Sequence, residues 1–179
     1  TDDAYLPKKY RTDWIQLVGF INHEKVSTNI SLIDEIISHL SRPTLDTLML
    51  KNYKVKIPTS FNMGQSFSED IPLININIDN RYEVRVPTYN VNCNNETSRN
   101  AFDKLMLAIE NCKKKLCIEN GTAVIVNNNR LLHSRNKIEG DRLILRTYIK
   151  KNIDDLTIDT GSDNNIFDLE ELNKNNGTY

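Results

Sequence analysis

The sequence predicts a mainly β domain with two or three helices on its outside. Three observations carry that reading. Short runs that alternate polar and apolar residues with period two recur through the middle and end of the chain, "RYEVRVP" and "DRLILRTY" among them. Turn residues punctuate the last of these runs, at Asn120-Gly121 and around Gly140. The clearest helical period, in "ETSRNAFDKLMLAIENC", has strand patterns on both sides. A sandwich, a jelly roll and a mixed sheet are all compatible with such a set of elements, and periodicity does not choose among them.

The chain has 179 residues, enough for one domain with a substantial core and too few for two comfortable ones. Hydrophobic residues make up 39% and charged residues 26%, with a formal net charge of -1, which is the balance of a globular chain rather than a disordered or membrane-bound one. That charge leaves no global positive field to draw in nucleic acid. No run of 18 apolar residues is present, so no membrane partner is expected. "TDDAYLPKKYRTDW" lacks both the apolar centre of a signal peptide and a starting methionine, so the chain reads as cytoplasmic and as cut from something longer. Cys93, Cys112 and Cys117 are odd in number and show no CxxC spacing, which favours reduced structural thiols over disulfides or a zinc site. The oligomeric state is left open.

Taken in order, "WIQLVGFIN" is an apolar run too short for a good helix and suited to a buried strand. In "STNISLIDEIISHLS", Ile30, Ile33, Ile37 and Leu40 recur at helical spacing behind a Ser/Thr start, which predicts a helix from near Thr28 to a point before Pro43. "PTLDTLMLK" opens on a first-turn proline and predicts a second, short helix. "YKVKIP", "PLININID" and "RYEVRVP" read as antiparallel strands, the 96–112 helix follows, and strands return up to residue 150. Residues 151–179 are acidic and poor in packing groups, so they are expected to form a loosely docked tail after a domain spanning 1–150.

The chemistry concentrates in "NNNRLLHSRNKIEGDRLILR". As a strand, "DRLILRTY" puts Arg142, Ile144 and Arg146 on one face and Leu143 and Leu145 on the other. Its apolar content suggests a central position, and a buried guanidinium there needs an anionic partner. The partner could be an internal Asp or Glu, or the carboxylate of a ligand. His133 is equally open, as a hydrogen-bonded core histidine or a metal ligand. His39 in a helix and His23 in a turn read as surface residues.

The same stretch resembles the end of the iron(II)- and 2-oxoglutarate-dependent oxygenases. An asparagine-arginine pair precedes the histidine, "HSR" stands at the histidine, and "DRLILR" follows. The branch it is most similar to is the clavaminate synthase-like one, which includes amino-acid hydroxylases acting on arginine, asparagine and lysine. The resemblance extends to the start, where "TDDAYLPKKYRTDWIQLVGF" looks like the continuation of a His-x-Asp/Glu motif. It then implies a double-stranded β-helix (jelly-roll) core with flanking helices, mixed α/β and mainly β, short of its N-terminal portion. Asp2 and His133 become iron ligands, with Thr1 the middle residue of the first motif. Arg142 and Thr28 hold 2-oxoglutarate, and Arg146 holds the carboxylate of a small substrate, an amino acid or a derivative of one. Fe(II), 2-oxoglutarate and O2 are the implied cofactor and cosubstrates.

Some positions depart from the branch. The first histidine would stand immediately before Thr1 and is not in this sequence, so the chain is read as a segment of a longer enzyme; a truncated, inactive oxygenase is the competing reading. Pro87 falls where arginine and lysine hydroxylases often carry an aspartate, which argues against a basic substrate unless Glu83 or Asp79 substitutes. Asn129 stands where arginine is frequent, and Arg135 is read as a structural contact. A hypothesis from another class is a noncatalytic jelly-roll module in which Arg142 and Arg146 grip a small carboxylate.

Overall fold

Alternation in "WIQLVGFIN" turns Ile15 and Leu17 to one side and Trp14, Gln16 and Val18 to the other, and this run forms strand β1 (Trp14–Asn22). The structure is a computed structural model that describes residues 8–57, 67–87, 91–138 and 140–160. After β1 come β2 (Ser27–Leu32), α1 (Ile33–Ser38), α2 (Arg42–Leu48), β3 (Tyr53–Val55), β4 (Ile74–Ile76), β5 (Tyr82–Val84) and β6 (Val91–Cys93). The long helix α3 (Glu96–Asn111) leads into β7 (Lys114–Cys117), β8 (Ala123–Asn127), β9 (Leu131–Arg135), β10 (Arg142–Ile149) and α4 (Asp154–Thr160). None of the described helices is long and apolar enough to cross a membrane.

Two three-stranded antiparallel sheets organise the site. In the first, β1 lies between β10 and β8; in the second, β2 lies between β7 and β9. Their inner faces meet in one apolar cluster: Ile15 and Leu17 of β1, Val126 of β8, Leu131 of β9 and Ile118, flanked by Ile30, Leu116, Val124 and Ile144. The jelly-roll core predicted for the chain is this pair of facing sheets. The outer face of the second sheet is covered: Leu132 of β9 belongs to a larger cluster built from α1, α2, α3 and the strands β3 to β6, and the Ser31 hydroxyl donates to the Ile109 carbonyl at 3.2 Å. The outer face of the first sheet is not covered in the same way. Trp14, Phe20, Ile125, Leu143 and Leu145 are all exposed there.

Local chemistry explains several boundaries. Asn95 caps α3 by accepting the amide hydrogen of Ser98 at 2.9 Å, and Ala101, Leu105, Ala108 and Ile109 face the core as their spacing predicts. Pro43 sits in the first turn of α2, where its missing N–H costs nothing. Gly121 adopts a φ of +78° in the turn between β7 and β8, a conformation that penalises a side-chain Cβ. The span expected to be a loose tail opens with α4, whose Leu156 is buried; residues 161–179 lie outside the described ones.

The helix expected from Thr28 is corrected by the structure. Ser27–Leu32 is strand, and only Ile33–Ser38 is helical before α2 begins at Arg42. Ile30 and Ile33 do stand at helical spacing. Pairing of residues 27–32 with β7 and β9, some 80 to 110 residues further on, outweighs that local pattern. β10 is corrected as well: among the described strands it lies at the end of its sheet, with β1 in the centre.

Tyr53 is the largest side chain sealed in the major core. Its hydroxyl reaches the carbonyls of Thr47 and Ser98 at 3.4 and 3.5 Å, and burial pushes its pKa up to about 12. A phenol that ionises less readily folded than unfolded contributes stability that is complete below the unfolded value of about 10 and is lost as pH rises toward 12. Chemical denaturation between pH 9 and 12 should therefore show an alkaline loss of stability that Tyr53→Phe removes. An equal loss in the variant would assign the effect to another group.

Candidate functional site

Arg142, the first residue of β10, points from the first sheet toward the second. Its Nη2 donates to the Thr28 hydroxyl of β2 at 2.9 Å, a bond between residues 114 positions apart. Thr28 is 5% exposed, and the Nε of Arg142 is buried with no hydrogen-bond partner among the described residues. No carboxylate among the described residues lies within ion-pair distance of the guanidinium, Asp141 included. Burial, helped by the nearby charge of Arg135, lowers the Arg142 pKa from its ordinary value. A guanidinium in this state is set to receive an anion, since an unpaired charge shielded from water is costly.

The neighbourhood of Arg142 is made by an irregularity in β1. Cross-strand register runs evenly from Trp14↔Ile149 to Gly19↔Ile144, then jumps to Ile21↔Leu143 and Asn22↔Arg142. One extra residue, Phe20, thus stands in β1, and the inward-facing position opposite Arg142 passes from Ile21 to Asn22. Asn22 is buried: its amide donates to the carbonyls of Val26 and Ile118 at 3.1 Å each, and its side-chain oxygen accepts from the Val26 amide at 2.9 Å. These bonds fix the β1–β2 turn and so set the position of Thr28. Sequence reasoning missed Asn22; the only signal available was a polar residue closing an otherwise apolar strand.

His133 lies in β9, a strand of its own that begins after the 128–130 turn. It pairs with Ile30 of β2, and Arg135 pairs with Thr28. Directly opposed residues of an antiparallel pair share a face, so His133 and Arg135 rise on the inner face with Thr28, Ile30 and Leu131. The His133 Nε2 is shielded from solvent. His133, Thr28 and Arg142 thus converge on the space between the sheets. His23 and His39 are exposed, as expected for surface residues.

Arg146 shares the inner face but does not join the buried set. It is exposed at the open edge of β10, where its Nη1 donates to the Tyr148 hydroxyl at 3.0 Å and its guanidinium lies 5.9 Å from that ring. Glu83, one of the carboxylates that could read a basic substrate, is engaged: Lys8 pairs with it at 2.7 Å and the Asn77 amide donates to it at 3.3 Å. Asp79 sits in the turn between β4 and β5 and is exposed. Thr1 and Asp2 lie outside the described residues. Among the described ones no three His, Cys, Asp or Glu side chains gather as a metal site. The three cysteines are free thiols, and burial pushes those of Cys93 and Cys112 up.

Comparison with solved structures decides the architecture. An asparagine oxygenase, solved with Fe(II), 2S,3S-3-hydroxyasparagine and succinate, superimposes with a TM-score of 0.81 at 16% identity, covering 93% of this chain and 54% of that one. The chain has the fold of the non-haem iron oxygenases. A second such protein, OrfP, in complex with Fe, succinate and (3S)-hydroxy-L-Arg, matches with a TM-score of 0.76 at 20% identity, over 90% of this chain and 51% of that one. OrfP in complex with Fe and alpha-ketoglutaric acid matches with the same TM-score at 21% identity, over 87% and 50%. No protein-family model and no curated protein matches the chain. The chain spans about half the length of these solved oxygenases. The part of that fold spanned by this chain includes the two facing sheets that carry Arg142, Thr28 and His133.

Proposed function

We propose that this chain forms the cosubstrate-binding half of an iron(II)- and 2-oxoglutarate-dependent dioxygenase that hydroxylates a small amino acid or amino-acid derivative. The observation that carries the reading is the Arg142 guanidinium. It bonds the Thr28 hydroxyl across the two sheets at 2.9 Å and has no neutralising carboxylate among the described residues. A guanidinium and a hydroxyl side by side are the donor set for one end of a dicarboxylate, held at about 1.5–3 kcal/mol by charge-assisted hydrogen bonds. The donors suit 2-oxoglutarate, whose far carboxylate would neutralise Arg142.

His133, opposite Ile30 and two residues before Arg135 on the same inner face, would supply an imidazole nitrogen suited to iron(II). Asp2, and a histidine ahead of it in the intact protein, complete the ligand set in this reading. When bound, the metal with 2-oxoglutarate and O2 supplies the oxidising power for C–H hydroxylation. The chain's own residues bind and orient: Thr28 fixes the Arg142 fork, the apolar cluster of Ile15, Leu17, Leu131 and Ile144 excludes water beneath it, and the exposed Arg146 receives the substrate carboxylate. Because Glu83 is held by Lys8 and Asn77, the reading favours a substrate without a cationic side chain.

The test uses the intact protein with Fe(II) and 2-oxoglutarate, screening amino acids for stimulated release of succinate. One or more amino acids should stimulate release, and His133→Ala should abolish both iron binding and turnover. Binding of 2-oxoglutarate without any succinate release, in the presence of iron and every amino acid tried, would instead mark a noncatalytic carboxylate-binding module.

A further inference from the structure

A second cation, Arg135, stands opposite Thr28 across β9 and β2. We propose that Arg135 is a further binding residue for the far carboxylate of the dianionic 2-oxo acid, placing that carboxylate between two guanidinium groups; this rests on the 2-oxoglutarate reading above. Arg135 and Thr28 are directly opposed across β9 and β2. Opposed residues of an antiparallel pair carry their Cβ atoms about 4.5–5.5 Å apart on one face. That face is the inner one, because Leu131 and His133, four and two residues before Arg135 on the same strand, turn toward the cluster between the sheets. Thr28 is thus flanked on one side by Arg142, which bonds its hydroxyl, and on the other by Arg135.

The Arg135 side chain makes no ion pair or hydrogen bond with any described residue, so the structural role expected of it has no counterpart here. Its charge is felt by Arg142 all the same, and it lowers the pKa of that group. Two like charges facing one hydroxyl, with no acid among the described residues to balance them, repel each other, and an anion between them removes the repulsion. Arg142 is half-buried, with its Nε shielded and its Nη2 bonded to Thr28, whereas Arg135 is exposed. The inner guanidinium sets geometry; the outer one adds selectivity for a second negative charge and draws the anion in.

The experiment compares 2-oxoglutarate with 2-oxopentanoate, which has the same chain length and lacks the far carboxylate. Both are titrated calorimetrically and anaerobically into the intact Fe(II)-loaded protein and into its Arg135→Gln and Arg135→Lys variants, with Arg142→Ala alongside. Arg135→Gln should weaken 2-oxoglutarate about fivefold, flatten the salt dependence of its Kd and leave 2-oxopentanoate unchanged. Arg135→Lys should recover most of the loss. If Arg135→Gln leaves 2-oxoglutarate untouched, or weakens both acids equally, Arg135 does not contact the far carboxylate. That outcome stands apart from failure of the parent reading, in which 2-oxoglutarate binds neither the wild type nor any variant and both proposals fall together.

Discussion

Arg142→Met is expected to weaken 2-oxoglutarate binding sharply while leaving the protein at least as stable as before. The guanidinium makes one described hydrogen bond, to Thr28, and buries its Nε without a partner among the described residues. Exchanging a partly desolvated charge for an apolar side chain of similar length is often neutral or stabilising. The same exchange removes the charge-assisted bonds proposed for the ligand, about 1.5–3 kcal/mol or roughly 10- to 150-fold in Kd. Thermal denaturation of the free protein and calorimetric titration with 2-oxoglutarate read the two effects separately. A variant that loses more than about 1 kcal/mol of stability would show that Arg142 is held for the fold rather than for a ligand.

Gly19→Ala is expected to have the largest effect on stability of any single methyl added to the sheets. A Cβ built on Gly19 would stand 2.1 Å from the Glu119 carbonyl oxygen and 3.0 Å from that of Ile118, both backbone atoms that cannot rotate away. The glycine is also stitched to the same turn by its own backbone: its amide donates to Thr122 at 2.9 Å, and its carbonyl accepts from Gly121 at 3.0 Å. Relief therefore requires the β7–β8 turn to move away from β1. The cost should be about 3 kcal/mol, a fall of roughly 6–12 °C in Tm for a chain of this size. A Tm within about 2 °C of wild type would mean that the turn yields freely.

Much of this was legible in the sequence wherever one local rule governed. The first strand, α3, the proline-opened α2 and the Asn120-Gly121 turn follow from alternation, helical spacing and backbone conformation, which are all short-range. β2 was not legible. Its Ile30 shares a helical spacing with Ile33 of the helix that follows, and the partners that hold it extended lie 80 to 110 residues away. Alternation in "DRLILRTY" correctly placed Arg142 and Arg146 on one face, but which of them is shielded depends on β10 lying at the end of its sheet, and one strand's pattern does not carry its neighbours. The meeting of Arg142 with Thr28 came from the family resemblance, and the places of Asn22 opposite Arg142 and of Arg135 opposite Thr28 came from cross-strand register.

The extra residue in β1 divides the space between the sheets into two compartments. Up to Gly19 the strand lines it with Ile15 and Leu17, a dry floor. Beyond Phe20 the same strand lines it with the amide of Asn22, opposite Arg142. A regular strand would carry its apolar stripe to the end through Ile21, against the guanidinium. Deleting Phe20 would thus do more than shorten β1: it would extend the dry floor into the place proposed for the charged cosubstrate.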